Sequence, residues 1–200
     1  MRRQVFAVIV AVILLLSLFG CAHRGDPSPV NSHPTSISIG SQTYSTDLTE
    51  LDLSGQHLTD INSLQYMTNL TSLNLDFNPY TVGTPSDFGL NHIKDISPLA
   101  GLTNLEYLDL NGNQITDISA LAGLTKLTFL YLNYNQISDI EILAGLTNLE
   151  YLSLTGNQIS DVGSLMKLTN LSELDIVGNP LSDSQIAALK AALPDCYVLY

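Results

Sequence analysis

The sequence predicts an α/β solenoid: a parallel sheet of about six strands on one face, an apolar wall opposite, and a helical cap at the C-terminal end. Three observations predict it. From Leu105 the frame L-x-x-L-x-L-x-x-N-x-I-x-D-I-x-x-L returns 22 residues later at Leu127, again at Leu149 and in part at Leu171. Upstream the same frame starts at Leu70, and at Leu48 with Gln56 in the Asn position. One such unit cannot bury its own apolar side, but stacked units can. Finally, the chain has no Trp while 45% of it is hydrophobic, which fits a core built from Leu and Ile at repeat positions.

Within each unit the strand is the x-L-x-L-x stretch, as in Tyr107-Leu108-Asp109-Leu110-Asn111. Alternation turns Leu108 and Leu110 inward and Tyr107, Asp109 and Asn111 outward. Asn78, Asn113, Asn135, Asn157 and Asn179 close the strands, where an Asn side chain can bond turn backbone that would otherwise be buried unpaired. Ile115, Ile118 and Leu121, with their counterparts, form the opposite wall. The Asp of the recurring Asp-Ile pair and its equivalents (Asp60, Asp95, Asp117, Asp139, Asp161, Asp183) invites comparison with a calcium ladder. One acid per unit is thin coordination for a hard cation, and Asp before a helical turn caps free N–H groups. Capping is the expected role, and no metal site or cofactor is expected.

The outward residues fall into columns. The first runs Glu50, Ser72, Tyr107, Phe129, Tyr151, Glu173; the second Asp52, Asn74, Asp109, Tyr131, Ser153, Asp175; the third Ser54, Asp76, Asn111, Asn133, Thr155, Val177, with Tyr134 at the rim. Tyr107, Phe129, Tyr131 and Tyr151 therefore form an exposed aromatic patch among acids. Stiff amphipathic rings are common interface anchors, and the carboxylates would select a basic partner. The candidate ligand-binding residues are Tyr107, Asp109, Phe129, Tyr131, Asn133, Tyr134, Tyr151, Glu173 and Asp175. Cross-strand aromatic neighbours can also do no more than stabilise the sheet, which leaves a passive spacer as the alternative. A carbohydrate stacked on the rings is a weaker one.

The chain in order supports this organisation. Arg2 and Arg3 precede an apolar run from Val5 to Phe19, too short for a spanning helix and typical of an export signal over 1–20. Residues 21–35 hold Pro27, Pro29 and Pro34 among polar residues and read as a tether. Within it Arg24-Gly25-Asp26 spells an adhesion tripeptide that matches by chance often. Residues 36–47 form an N-terminal cap, in which Ile37 and Ile39 alternate with Ser36 and Ser38 as in a strand. The repeats occupy 48–179. They are interrupted by an insertion at about 79–91, rich in Pro and Gly, which either carries recognition or reflects drift. From 180 to 200 the frame gives way to a C-terminal cap: a helix from Ser184 to Leu193 capped by Ser182 or Asp183, Pro194 as its stop, and a last short strand around Tyr197.

The formal net charge is −12, from 7 basic against 19 acidic residues, and Arg2 and Arg3 lie in the export signal. Such a field repels phosphate backbones, so nucleic acid is not an expected partner. His23, His33, His57 and His92 are scattered, and no Gly-rich phosphate loop or nucleophile elbow appears. Asp52 and Asp109 lie on an open face where water would screen them. No catalytic residue is expected, and the chain does not read as an enzyme. Cys21 and Cys196 permit one disulfide by count, but Cys21 ends the export signal and Cys196 lies in the cap.

Two resemblances follow from these residues. Leu18-Phe19-Gly20-Cys21 resembles the bacterial lipobox, which implies cleavage before Cys21, lipid modification of that Cys (palmitate among the acyl groups) and anchoring of the chain to a membrane. Ala22 after it would permit transfer to the outer membrane in a Gram-negative cell; in a Gram-positive cell the protein would sit on the outer face of the plasma membrane. The repeat, from about Leu48 to Asn179, resembles bacterial leucine-rich repeat proteins of the internalin-like, 22-residue subclass. That resemblance implies a leucine-rich repeat solenoid with a parallel sheet on one face and short turns or 3-10 segments on the other, and a cell-surface or envelope module whose sheet face binds protein.

Overall fold

A computed structural model of the chain describes residues 33–76 and 92–200. The export signal, Cys21, most of the tether, Asn78 and the 79–91 insertion lie outside the described residues.

The described chain opens with an antiparallel hairpin, β1 (Ser36–Ile39) and β2 (Gln42–Ser45), turning at Gly40. Ile37 and Ile39 are buried in the main core and Tyr44 packs against it. The repeats then contribute β3 (Glu50–Asp52), β4 (Ser72–Asn74), β5 (Tyr107–Asp109), β6 (Phe129–Tyr131), β7 (Tyr151–Ser153) and β8 (Glu173–Asp175). With β9 (Tyr197–Leu199) these form one parallel sheet in chain order. Among the described residues the sheet therefore has seven strands against about six expected. The frame ends at Asn179, yet the cap returns the chain to the sheet in register, Glu173 opposite Tyr197. The pairing of Ser72 with Tyr107 shows that the insertion leaves the stack unbroken.

Each coil turns on the far side through a 3-10 segment: Asn62–Tyr66, Ser97–Leu99, Ser119–Gly123, Glu141–Gly145 and Leu165–Lys167. The aspartate before each one accepts the N–H two residues on, at 2.8–2.9 Å for Asp60, Asp95, Asp117, Asp139 and Asp161. This is the capping role expected of them. Asp183 departs from the pattern: it opens α1 (Asp183–Ala192), and the cap is Ser182, reciprocally bonded with Gln185.

The core is a column of leucines and isoleucines. Leu108, Leu130 and Leu152 from the strands and Leu121, Leu143 and Leu165 from the far wall are all fully buried. Fully burying each such side chain contributes roughly 1.5–3 kcal/mol. The asparagines stitch the coils together. Asn135 donates from Nδ2 to the carbonyls of Leu110 (3.0 Å), Leu132 (3.1 Å) and Asn133 (3.3 Å), while its Oδ1 accepts from the Ile115 N–H (3.0 Å). Asn113, Asn157 and Asn179 bond the equivalent groups one coil away. Each side chain thus satisfies backbone in two coils, which locks the stacking distance.

Candidate functional site

Strand pairing builds the sheet face row by row. The first row reads Glu50, Ser72, Tyr107, Phe129, Tyr151, Glu173, Tyr197, each opposite the next. The second reads Asp52, Asn74, Asp109, Tyr131, Ser153, Asp175, Leu199. No Lys or Arg occurs in either row.

The four rings come together at the middle of the face. Tyr131 lies 4.9 Å from Tyr151 and 5.5 Å from Tyr107 between ring centroids, and Tyr107 lies 6.5 Å from Phe129. All three pairs are tilted, within the range in which aromatic quadrupoles attract. Phe129 stands furthest out at 39% exposed, whereas Tyr107, Tyr131 and Tyr151 are half-buried against one another. Burial, and after it the carboxylate of Asp109, pushes the Tyr107 hydroxyl well above its ordinary range. Burial followed by the neighbouring Tyr151 pushes Tyr131 up to about 12. Both therefore act as hydrogen-bond donors over the whole physiological range.

Beneath this cluster the acids behave differently from the open-face expectation. Asp109 points to the outer face but is only 8% exposed, because Tyr107 and Tyr131 close over it. Its Oδ1 accepts from the Asn111 N–H at 2.9 Å and its Oδ2 faces the Tyr107 hydroxyl at 3.5 Å. Burial outweighs these bonds and raises its pKa to about 6. Asp76, half-buried beside it, rises to about 7 through burial first and then repulsion from Asp109 and Asp52. Water does not screen this group as it would on an open sheet. The expectation that Asp109 is a free contact residue is thus corrected: it is buried beside the rings of Tyr107 on its own strand and Tyr131 on the next. Ser153 is buried as well, at 1% exposed, and donates to Asn133 Oδ1 at 2.6 Å.

Asn133 and Asp175 also serve the sheet. Asn133 Oδ1 accepts from the Thr155 N–H at 2.8 Å, and Asp175 Oδ1 accepts from the Thr155 hydroxyl (2.6 Å) and the Val177 N–H (3.1 Å). Glu173 differs from these polar candidates: among the described residues its carboxylate has no hydrogen bond or ion pair.

Tyr134 is the most exposed of the candidates, at 67%. It occupies the position held by Gly55, Gly112, Gly156 and Gly178 in other coils, and like them it has positive φ, 54°. A bulky residue in this left-handed conformation costs about 1–2 kcal/mol relative to the right-handed one. Its ring lies on the next coil, where a Cβ on Gly156 would meet Tyr134 Cδ1 at 2.7 Å. The recurrence of glycine at this slot was a signal in the sequence for the unusual backbone there. Tyr197, 64% exposed at the end of the first row, is a face residue that the repeat frame does not reach.

No group of three or more His, Cys, Asp or Glu among the described residues could hold a metal ion. What the face offers is shape, rings, phenolic donors and negative charge.

Comparison with known proteins agrees with this geometry. The family model described as leucine rich repeats (2 copies) matches residues 87–123, 125–165 and 147–191, together just over half of the chain. Among solved structures, an internalin (inlF) of Listeria monocytogenes is 31% identical with a TM-score of 0.58; the match covers 80% of this chain and 50% of that one. Internalin C2 of the same organism is 33% identical with a TM-score of 0.55, over 80% of this chain and 76% of that one. A leucine-rich repeat protein of Leptospira interrogans shares the fold at 23% identity and a TM-score of 0.64, over 78% of this chain and 38% of that one. The chain thus spans about half the length of the first internalin. A search of curated proteins finds no match. Repeat frame, parallel sheet and structural likeness agree, and the chain belongs to the bacterial leucine-rich repeat proteins of internalin type.

Proposed function

We propose that this chain is a lipid-anchored, extracytoplasmic binding module that captures a protein partner on its sheet face. The observation that carries the reading is the cluster of Tyr107, Phe129, Tyr131 and Tyr151 at the centre of an open sheet that has acids around the rings and no cation in its rows. Rigid rings lose little conformational entropy on contact and bury large areas, which is why they dominate binding energies. The leucine-rich repeat fold supports protein binding in general; the particular residues are the proposal. The lipid anchor rests on Leu18-Phe19-Gly20-Cys21.

The test is to replace Tyr107, Phe129 and Tyr151 together by Ala and to measure folding and photo-crosslinked capture on intact cells separately. Retained folding with lost capture supports the reading. Retained folding with undiminished capture removes the patch. The second reading, a spacer whose rings serve only the sheet, is favoured by the packing of the rings on one another. It predicts a loss of stability with no captured partner in the parent chain. The anchor has its own test: Cys21→Ala should abolish palmitate incorporation and release the protein from the membrane fraction.

A further inference from the structure

We propose that Tyr151, Glu173 and Tyr197, which β7, β8 and β9 bring into one row on the sheet face, form a guanidinium-binding notch that takes an arginine side chain of the protein partner. The inference rests on the sheet-face reading and names the chemistry at its C-terminal end.

The three residues are direct cross-strand neighbours, Tyr151 opposite Glu173 and Glu173 opposite Tyr197. In the row an acidic residue therefore stands between two tyrosines. At standard parallel spacing Tyr151 and Tyr197 are roughly 10 Å apart at the backbone, which allows a planar cation between them within about 6 Å of each ring. The aspartates of the second row each hold a bond: Asp52 with the Ser54 N–H, Asp109 with Asn111 and Tyr107, and Asp175 with Thr155 and Val177. Glu173 has no such bond among the described residues. The ring of Tyr197 is 64% exposed. The cap already shows the affinity of its tyrosines for cations, since Lys190 Nζ sits 3.8 Å over the Tyr200 ring. Among the described residues no cation lies over Tyr197. The rows of the face contain no Lys or Arg of their own, so the notch takes its cation from outside these rows. Guanidinium suits the notch better than ammonium because it is planar, stacks on rings and can bond both oxygens of one carboxylate.

The first row provides an internal control. Glu50 has the same side chain in the same row, with Ser72 and not a ring as its partner on the neighbouring strand. The experiment titrates the full chain with N-acetyl-arginine-amide and with its uncharged citrulline counterpart, following ring resonances of labelled tyrosine. Saturable shifts at Tyr151 and Tyr197 with the arginine probe alone are expected. Glu173→Gln should weaken them about fivefold, as expected for loss of an ion pair near 1 kcal/mol, and Glu50→Gln should leave them unchanged. The proposal is overturned if the citrulline probe binds as well, if the shifts do not saturate, or if Glu50→Gln weakens them as much as Glu173→Gln. Capture on cells separates the two levels. If the triple alanine variant loses the partner while Glu173→Gln keeps it in full, the face binds protein and the arginine notch is wrong. If neither change affects capture, the sheet-face reading itself fails.

Discussion

Asn135 and Tyr134 are adjacent in the chain, yet they belong to parts of the molecule governed by different rules. Asn135 repeats, bond for bond, what Asn113 and Asn157 do one coil away. Tyr134 stands where four other coils have glycine. The inner wall repeats because each coil must present the same backbone groups to the next. The outer face is free of that requirement, so its rows change from acid to aromatic and back to acid along the stack. Uniformity thus marks what holds the protein together, and departure from it marks what the protein can use.

The largest effect should come from breaking the inner wall. Asn135→Ala removes three donated bonds and one accepted bond at a site only 6% exposed and leaves their backbone partners buried without replacement. A loss of about 3 kcal/mol is expected by denaturant unfolding. Asn179→Ala, half-buried at the last coil, should cost clearly less. Equal losses would mean that the bonds act locally and not through the stacking of coils.

The next effect has the opposite sign. Asp109 and Asp76 have folded pKa values of about 6 and about 7, above the ordinary 3.8. Between about pH 4 and pH 7 the folded state therefore holds more protons than the unfolded one, and stability falls as pH rises through that window. Asp109→Asn keeps the acceptor for the Asn111 N–H, as Asn74 does for Asp76 at 2.9 Å, and removes the charge. The variant should be more stable than the parent by about 1–2 kcal/mol at pH 8, after allowance for screening, and should match it at pH 4. Thermal unfolding at the two pH values decides. A variant that is less stable at pH 8 would show that the carboxylate is held favourably.

These two sites also show where the sequence could be read and where it could not. The period gave the inward leucines, the Asn bonds and the capping aspartates, because each depends only on position within a coil. The face was legible as rows of neighbours. The burial of Asp109 and Ser153 was not, since it depends on which way Tyr107, Tyr131 and Tyr151 lean between strands, and spacing carries no rotamer information. Tyr197 was missed as a member of the first row because the frame breaks at Asn179-Pro180 and its register is set by the cap. The positive φ of Tyr134 was available from the glycines in its slot.

A third and smaller effect separates ring packing from display. Phe129 is the most exposed ring of the central four, and among the described residues its ring pairs with Tyr107, at 6.5 Å between centroids. Phe129→Ala should therefore cost no more than about 1 kcal/mol in stability, while partner capture should fall at least tenfold if the ring is an anchor. A stability loss above 2 kcal/mol with capture unchanged would assign the ring to the sheet.

The smallest effect bears most directly on why the face departs from the repeat. Tyr134→Gly restores the residue found in the equivalent slots and relieves the left-handed strain, but it also removes the contact of the ring with Gly156. The two changes oppose each other, and a net gain of about 0.5 kcal/mol is expected because a ring 67% exposed recovers less from packing than its backbone conformation costs. If the unfolding midpoint rises slightly while capture weakens, the strain is retained for contact with a partner. If the midpoint falls, the ring earns its place by bracing the next coil, and Tyr134 joins the inner wall in explaining how the stack holds.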